Sequence, residues 1–218
     1  MIAVEAKAIH FRYPEQITPV LDGLDFQLKS GQTAAITGAS GCGKSTLGYC
    51  LCGVIPRLIK GEFRGEVRMQ GRVGIVFQDP DSQIFLPTVE DELAFGPENL
   101  CLSRLEIGDR VQRTLDLMGI KNLRQENPAT LSGGQKQLVV LGAVLTLEPD
   151  ILVLDEPLAQ LDGAATDRVK SILLALKKQG KTLIIIEHDQ RNLHLADEIW
   201  RLERGQLFQV SGRGGNQE

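Results

Sequence analysis

Residues 38 to 45 read Gly-Ala-Ser-Gly-Cys-Gly-Lys-Ser and fit the pattern G-x-x-x-x-G-K-[ST] of a phosphate-binding loop. Its glycines let backbone N–H groups turn toward one anion, and a following helix adds positive potential at its N-terminus. Lys44 can reach terminal phosphates, and the Ser45 hydroxyl can hold Mg²⁺. A chance match in a flexible loop is disfavoured because an apolar strand precedes the octet and a helical stretch follows it. The candidate nucleotide contacts are Gly38, Ala39, Ser40, Gly41, Cys42, Gly43, Lys44, Ser45 and Thr46.

Two adjacent carboxylates, Asp155 and Glu156, follow the apolar run 151–154. Acids at the end of a buried strand are costly unless they are used. In a fold built on a phosphate loop, Asp155 would orient the Mg²⁺ shell and Glu156 would polarise a water for in-line attack on the γ-phosphate. The alternative is that both acids only cap the strand end. His188 follows another apolar run, and the convergence of three strand ends favours a γ-phosphate contact over a structural histidine.

Residues 131 to 135 read Leu-Ser-Gly-Gly-Gln and stand just ahead of a helical stretch. The two glycines can form a second anion nest at the start of that helix, with Ser132 as its cap. Taken alone, the segment is equally well explained as an ordinary helix N-cap.

The elements that must position these residues alternate between strand and helix. Short antiparallel strands are predicted within 4–8 and 20–28, with turns at Asp22-Gly23 and Ser30-Gly31. A capping box from Ser103 to Glu106 precedes a periodic run that Gly119 stops. Such alternation implies parallel strands joined by crossover helices. The other predicted strands are 33–37, 66–70, 73–77, 151–154 and 182–187, and the other helices are 44–52, 136–147 and 164–179.

Composition places the chain among ordinary globular proteins. Its 218 residues are 42% hydrophobic with a formal net charge of −4, which gives a poor nucleic-acid footprint. No apolar run approaches the roughly 18 residues that cross a bilayer, and an acid interrupts the start where a secretory signal would be apolar. We therefore expect an unexported protein with reduced thiols. Cys42 would act through its backbone N–H, since no base or resolving cysteine is apparent beside it.

Taken in order, these motifs resemble the ATP-binding cassette (ABC) ATPases over nearly the whole chain. Tyr13 resembles the aromatic residue that stacks on adenine, Gln78 the Q-loop glutamine, and Leu161-Asp162 the D-loop. The resemblance implies an α/β fold: a P-loop NTPase core with a parallel sheet, an N-terminal antiparallel β-subdomain and an inserted α-helical subdomain. It implies one domain over 1–211, with the β-subdomain and core in 1–78 and 148–211 and the helical insert in about 79–147. The polar, glycine-rich stretch 212–218 is expected to be a flexible tail.

The resemblance also implies a head-to-tail dimer in which each ATP lies between one chain's phosphate loop and the other chain's signature, here Ser132, Gly134 and Gln135. Lys44, Glu156 and His188 would be catalytic, Ser45, Gln78 and Asp155 would hold Mg²⁺, and Asp162 would lie at the dimer contact. Closure on ATP and reopening after hydrolysis would pass to a partner through the groove near Gln78.

The segment 78–99 resembles that of energy-coupling-factor (ECF) transporter ATPases, including cobalt- and nickel-type members, most closely at 94–99. That resemblance implies vitamin or transition-metal import with a transmembrane coupling protein and a separate substrate-capture membrane subunit, and a peripheral position on the cytoplasmic face of the membrane. The acids Asp81, Glu90, Asp91 and Glu92 could receive basic residues of coupling helices, or simply form a solvated helix start. The chain ends about 30 residues after His188, so a natural short form, a truncated piece and one half of a tandem ATPase all stay open.

Two other functions are alternatives to membrane transport: a soluble ABC ATPase and a nucleotide-binding scaffold. A soluble ABC ATPase of DNA repair would insert a long coiled coil between Gln78 and Leu131, and translation-type members usually carry two cassettes. In this chain Gln78 and Leu131 are 53 positions apart, and the segment between them has no heptad repeat. A nucleotide-binding scaffold without turnover is disfavoured because Lys44, Glu156 and His188 are all intact.

Overall fold

The computed structural model describes residues 1–159 and 161–212. In chain order the strands are β1 (Ile2–Arg12), β2 (Leu21–Lys29), β3 (Thr33–Thr37), β4 (Glu62–Met69), β5 (Val73–Val76), β6 (Ile151–Asp155), β7 (Thr182–Ile186), β8 (Glu198–Glu203) and β9 (Gln206–Gly212). The helices are α1 (Lys44–Leu51), α2 (Val54–Arg57), α3 (Val89–Asn99), α4 (Arg104–Met118), α5 (Gly133–Leu145) and α6 (Gly163–Lys178). The predicted tail begins at Gly212, the last residue of β9, and its remainder, 213–218, lies outside the described residues.

An antiparallel sheet of order β2-β1-β4 forms one layer. The predicted turn at Asp22-Gly23 is wrong: both residues lie inside β2, and the chain reverses before it, between β1 and β2. Gly23 has a φ of 68°, and the β1–β2 register shifts nearby, so the glycine serves an irregularity within the strand. β4 also begins four residues earlier than predicted. The turn at Ser30-Gly31 is confirmed, since β2 ends at Lys29.

The central sheet has the order β5-β6-β7-β3-β8-β9, parallel except for β9. β6 and β7 are buried along their whole length, as the continuous apolar runs predicted. In the register, Asp155 of β6 lies opposite Ile186 of β7, which in turn lies opposite Ile36 of β3. The chain segments that follow these three strands therefore leave the sheet at one edge.

Three helices, α3, α4 and α5, pack together in the middle of the chain and against the β6–β7 side of the sheet. Ser103 caps α4 and Gly119 ends it in a left-handed conformation, as predicted. Only half of the predicted capping box forms, because the Glu106 carboxylate pairs with Arg110 one turn later. α5 begins at Gly133, three residues earlier than predicted. Within the described residues, no helix is long and apolar enough to cross a membrane.

Candidate active site

The phosphate-binding loop joins β3 to α1 in a shape that requires glycine. Gly38 has a φ of 151°, and a Cβ there would lie 2.5 Å from the Leu202 carbonyl oxygen. Gly43, with a φ of 105°, caps α1, and a Cβ there would lie 2.6 Å from Val20 Cγ1. The loop runs so close to neighbouring residues that a side chain at either position would collide with them. Glycine is therefore required at both positions.

Lys44 is buried, and its ammonium group lies over the loop. Its Nζ donates hydrogen bonds to the carbonyl oxygens of Gly38 at 3.0 Å and Ala39 at 2.9 Å. The backbone N–H of Cys42 donates within the loop, to Ala39 O at 3.3 Å. A loop with a buried cation at its centre is suited to binding phosphate.

All four cysteines are free, and burial raises the pKa of the Cys50 and Cys52 thiols to about 12.

Asp155 ends β6 with its side chain buried at 1% exposure. Neither of its carboxylate oxygens has a hydrogen-bond partner. Burial raises the pKa of this carboxyl, and Glu156 adds to the rise, while the Ser45 hydroxyl and the Lys44 ammonium lower it. A buried carboxylate without partners, beside a hydroxyl, fits a cation such as Mg²⁺. Capping of the strand end does not describe it, since it accepts no backbone N–H.

Glu156 joins two other predicted site residues from neighbouring strand ends. Gln78 Nε2 donates to Glu156 Oε2 at 2.9 Å, and His188 Nδ1 lies 3.3 Å from Glu156 Oε1. The backbone of Glu156 is left-handed, with a φ of 49°, and its N–H donates to Ile186 O at 3.0 Å. Such a conformation in a non-glycine residue costs on the order of 1–3 kcal/mol and is found most often at functional sites.

Tyr13 lies next to the helix that follows the phosphate loop. Its hydroxyl and Thr46 Oγ1 are 3.1 Å apart, and its ring packs edge-on against Phe11 with centroids 4.8 Å apart. The hydroxyl contact therefore fixes the predicted adenine platform relative to α1. The stacking role itself stays a prediction.

The second glycine motif starts α5, as an N-cap. Ser132 Oγ accepts the Gln135 N–H at 3.3 Å, and Gln135 Oε1 accepts the Ser132 N–H at 3.0 Å, which is a complete capping box. Asp162 is also an N-cap, accepting the Ala165 N–H at 2.8 Å at the start of α6. In the part of the chain that the structure describes, no hydrogen bond joins residues 132–135 to the phosphate loop.

Three anchoring contacts around the site were not predicted from the sequence. Gln83 Oε1 accepts the Phe77 N–H at 2.6 Å, and its Nε2 donates to a β5 carbonyl, which fixes the segment after Gln78. Lys136 of α5 donates to Asp81 of the same segment at 2.6 Å. Glu187, buried at the end of β7, accepts N–H groups of the loop that carries His188. The only sequence signal for Glu187 is an acid placed directly after four apolar strand residues.

The segment after Gln78 borders a small apolar groove of 170 Å³. The rings of Phe85 and Phe95 meet edge-on at its mouth, with centroids 5.0 Å apart, and both are exposed, at 64% and 42%. We call this surface the Phe85–Phe95 groove.

The acids next to this groove are engaged within the chain. Glu90 pairs with Arg124, whose hydrogen bond lowers the pKa of that carboxyl. Glu92 accepts two backbone N–H groups, Asp91 bonds to the helix cap Thr88, and Asp81 binds Lys136. These contacts favour the interpretation of a helix start, and they leave the aromatic pair as the more prominent exposed feature.

Residues 21–159 match the model of the ABC transporter family. An energy-coupling factor transporter ATP-binding protein, EcfA, of Methanocaldococcus jannaschii is 38% identical over 95% of this chain and 78% of its own length. A putative ABC transporter ATP-binding protein of Methanosarcina mazei is 37% identical over 94% of this chain. The chain spans only 38% of that relative's length.

Solved structures share the architecture. The cbiO1 protein of Clostridium perfringens, described as part of the ABC transporter complex cbiONQ, superposes with a TM-score of 0.80 at 31% identity, over 95% of this chain and 87% of its own. The ATP-binding cassette MJ0796, solved as a dimer in a post-hydrolysis state with ADP and Pi, gives 0.82 at 25% identity, over 96% of this chain and 99% of its own. These matches confirm the predicted fold class.

Proposed function

Because the chain belongs to the ABC transporter ATP-binding family, we propose that it binds and hydrolyses ATP as one of two cassettes that power a membrane transporter. The matches confirm the family resemblance that the motifs carried. The observation that supports hydrolysis most directly is the convergence at one sheet edge: Lys44, Asp155, Glu156 and His188 follow three adjacent strands, and Gln78 contacts Glu156.

In the proposed mechanism the phosphate loop and Lys44 bind the phosphates, and Glu156 accepts the proton of the attacking water. His188 and Gln78, both next to Glu156, contact the γ-phosphate. Ser45, Asp155 and Gln78 would hold Mg²⁺, which neutralises phosphate charge when it is bound. The described residues include no group of three or more His, Cys, Asp or Glu with the geometry to hold a metal ion, and Mg²⁺ is commonly held by one or two carboxylates together with substrate phosphates.

A second cassette would complete each site. The capping box occupies the Ser132 hydroxyl and the Gln135 N–H, and the remaining first-turn N–H groups of α5 are oriented to bind an anion. Since these groups make no hydrogen bond to their own phosphate loop, a head-to-tail pair supplies them across an interface that includes Asp162. The dimeric ATP-binding cassette with a TM-score of 0.82 supports this arrangement. The partner is a second ABC ATPase chain, in a homodimer or a heterodimer.

We further propose that the transporter is of the energy-coupling-factor type, importing a vitamin or a transition-metal ion. Similarity to EcfA and to cbiO1 supports this subfamily. The coupling protein would dock at the Phe85–Phe95 groove, a second membrane subunit would capture the substrate, and the cassette would lie on the cytoplasmic face of the membrane. DNA repair or translation is less supported, because α4, with 15 residues, is the longest helix of the described insert and no long coiled coil is present there.

The test is purification from native membranes, with identification of the co-purifying membrane proteins. We expect a coupling protein and a small capture subunit with the wild type, and their loss with Phe95→Ser. Phe208→Ser is the matched control, since Phe208 is 55% exposed on β9, away from the groove. Recovery of no membrane protein with the wild type would contradict the transport function, and equal recovery with both variants would contradict the docking site.

A further inference from the structure

Glu187 is a buried carboxylate whose two oxygens are both engaged. It is 3% exposed. Its Oε1 accepts the backbone N–H groups of His188 and Asp189, each at 2.9 Å, and its Oε2 accepts from Asn192 Nδ2 at 2.9 Å. One side chain thereby ties together the first six residues after β7.

The anchor of this arrangement is the central sheet. The Glu187 N–H donates to Ile36 O at 3.1 Å, on the strand that leads into the phosphate loop. The His188 side chain is 60% exposed, and its Nδ1 lies 3.8 Å from Glu187 Oε1 as well as close to Glu156. The direction in which its peptide leaves the sheet is therefore set by the two N–H bonds to Glu187, and that direction brings the imidazole to 3.3 Å from Glu156.

We propose that Glu187 is a positioning residue for ATP hydrolysis, acting through His188; this inference rests on the proposed function. Both Glu187 oxygens accept hydrogen bonds from its own loop. Its carboxylate holds the His188 peptide in the orientation that presents the imidazole to the γ-phosphate. Misplacement of a catalytic group by about 1 Å can cost on the order of 100-fold in rate.

The two substitutions Glu187→Met and Glu187→Gln separate hydrogen bonding from volume. Methionine has a similar size but accepts neither N–H, so the loop loses its anchor. Glutamine keeps one oxygen for the two backbone N–H groups and exchanges only the contact with Asn192, whose amide can rotate to present its oxygen. Asp197→Asn is the control, since Asp197 accepts the Thr33 N–H at 3.0 Å at the opposite end of β3.

Steady-state hydrolysis by the 218-residue chain is the assay. We expect kcat to fall about 10- to 100-fold in Glu187→Met with KM for ATP within about twofold, near wild-type values in Glu187→Gln, and no change in Asp197→Asn. The double variant Glu187→Met/His188→Ala should be no slower than His188→Ala alone, because both changes remove the same contact. Faster amide exchange at 188–192 in Glu187→Met would show that the loop has lost its anchor.

An active wild type with unchanged kcat in Glu187→Met would overturn the inference and leave the proposed function intact. So would a double variant slower than His188→Ala by the full Glu187→Met factor, because Glu187 would then act on another group. A wild-type chain that does not hydrolyse ATP would overturn the proposed function and the inference with it.

Discussion

Asp155→Asn should make the folded chain more stable near neutral pH while it abolishes Mg²⁺-dependent hydrolysis. The carboxylate is 1% exposed, and the cost of burying its ionised form outweighs the opposing effects of the Ser45 hydroxyl and the Lys44 ammonium. An unsatisfied buried polar group costs about 1–3 kcal/mol, and a charged one costs more. The amide keeps the unsatisfied atoms and removes the charge, so we expect a gain of about 1 kcal/mol, or about 2–4 °C in Tm for a chain of this length.

The difference in stability between Asp155→Asn and the wild type should depend on pH. Burial raises the pKa of Asp155 above its ordinary value of 3.8, so the folded chain binds this proton more tightly than the unfolded chain does. The stability that the folded chain gains by binding the Asp155 proton is fully present below pH 3.8. It is lost as the pH rises through the raised pKa of the folded chain. The advantage of Asp155→Asn should therefore be largest near pH 7 and should shrink as pH falls toward the ordinary range.

Urea unfolding of both proteins at about pH 7 and about pH 5 measures the difference, with m-values compared to confirm a two-state transition. Glu156→Gln is the control, because Glu156 is 17% exposed and already accepts from Gln78. A variant less stable than wild type near pH 7, or a difference that does not change with pH, would refute the view that the buried, ionised Asp155 carboxylate destabilises the fold.

Three further predictions concern the ATP cycle. Glu156→Gln should keep ATP binding, lower kcat by at least about 100-fold and trap a closed dimer visible by size-exclusion chromatography with ATP; wild-type turnover would contradict its role as the base. Lys44→Ala should lose most ATP affinity in calorimetric titration, because the cation at the centre of the loop is removed, and unchanged affinity would count against the phosphate-loop assignment. Ser132→Arg chains mixed with Lys44→Ala chains should recover activity by forming one intact composite site; no recovery from well-folded chains would argue against head-to-tail pairing.

The local signals of the site were readable from the sequence because each depends on neighbouring residues. A continuous apolar run, then glycines, then a helix specifies β3, the loop and α1, and the same logic places Asp155 and His188 at strand ends. The parallel order of the strands then brings them to one edge. The Asp-Gly pair at 22–23 misled the prediction, because a left-handed glycine serves an irregularity inside a strand as well as it serves a turn.

The contacts between strand ends could not be predicted in this way. Nothing local to Gln78 indicates that its amide would bind Glu156, since the two lie 78 positions apart and meet only through the pairing of β5 with β6. The hydrogen bonds that Glu187 accepts are local in sequence. They anchor the loop only because Glu187 is itself buried and bonded to β3, which the sequence does not show. An acid directly after an apolar strand indicates that the acid has a specific role. The pattern does not distinguish an acid that binds a ligand from one that binds the backbone.

The contacts of Glu156 connect the chemistry to the proposed docking surface. One of its oxygens accepts the Gln78 amide and the other faces His188, so both are engaged. Each carboxylate oxygen can accept a second hydrogen bond, so a water can donate to Glu156 while Gln78 and His188 stay beside it. Gln78 begins the segment that Gln83 and the Lys136–Asp81 pair hold in place and that ends in the Phe85–Phe95 groove. A membrane partner in that groove would act on the segment that begins at Gln78, and Gln78 in turn contacts the catalytic base, so the proposed docking surface and the chemistry share one segment of chain.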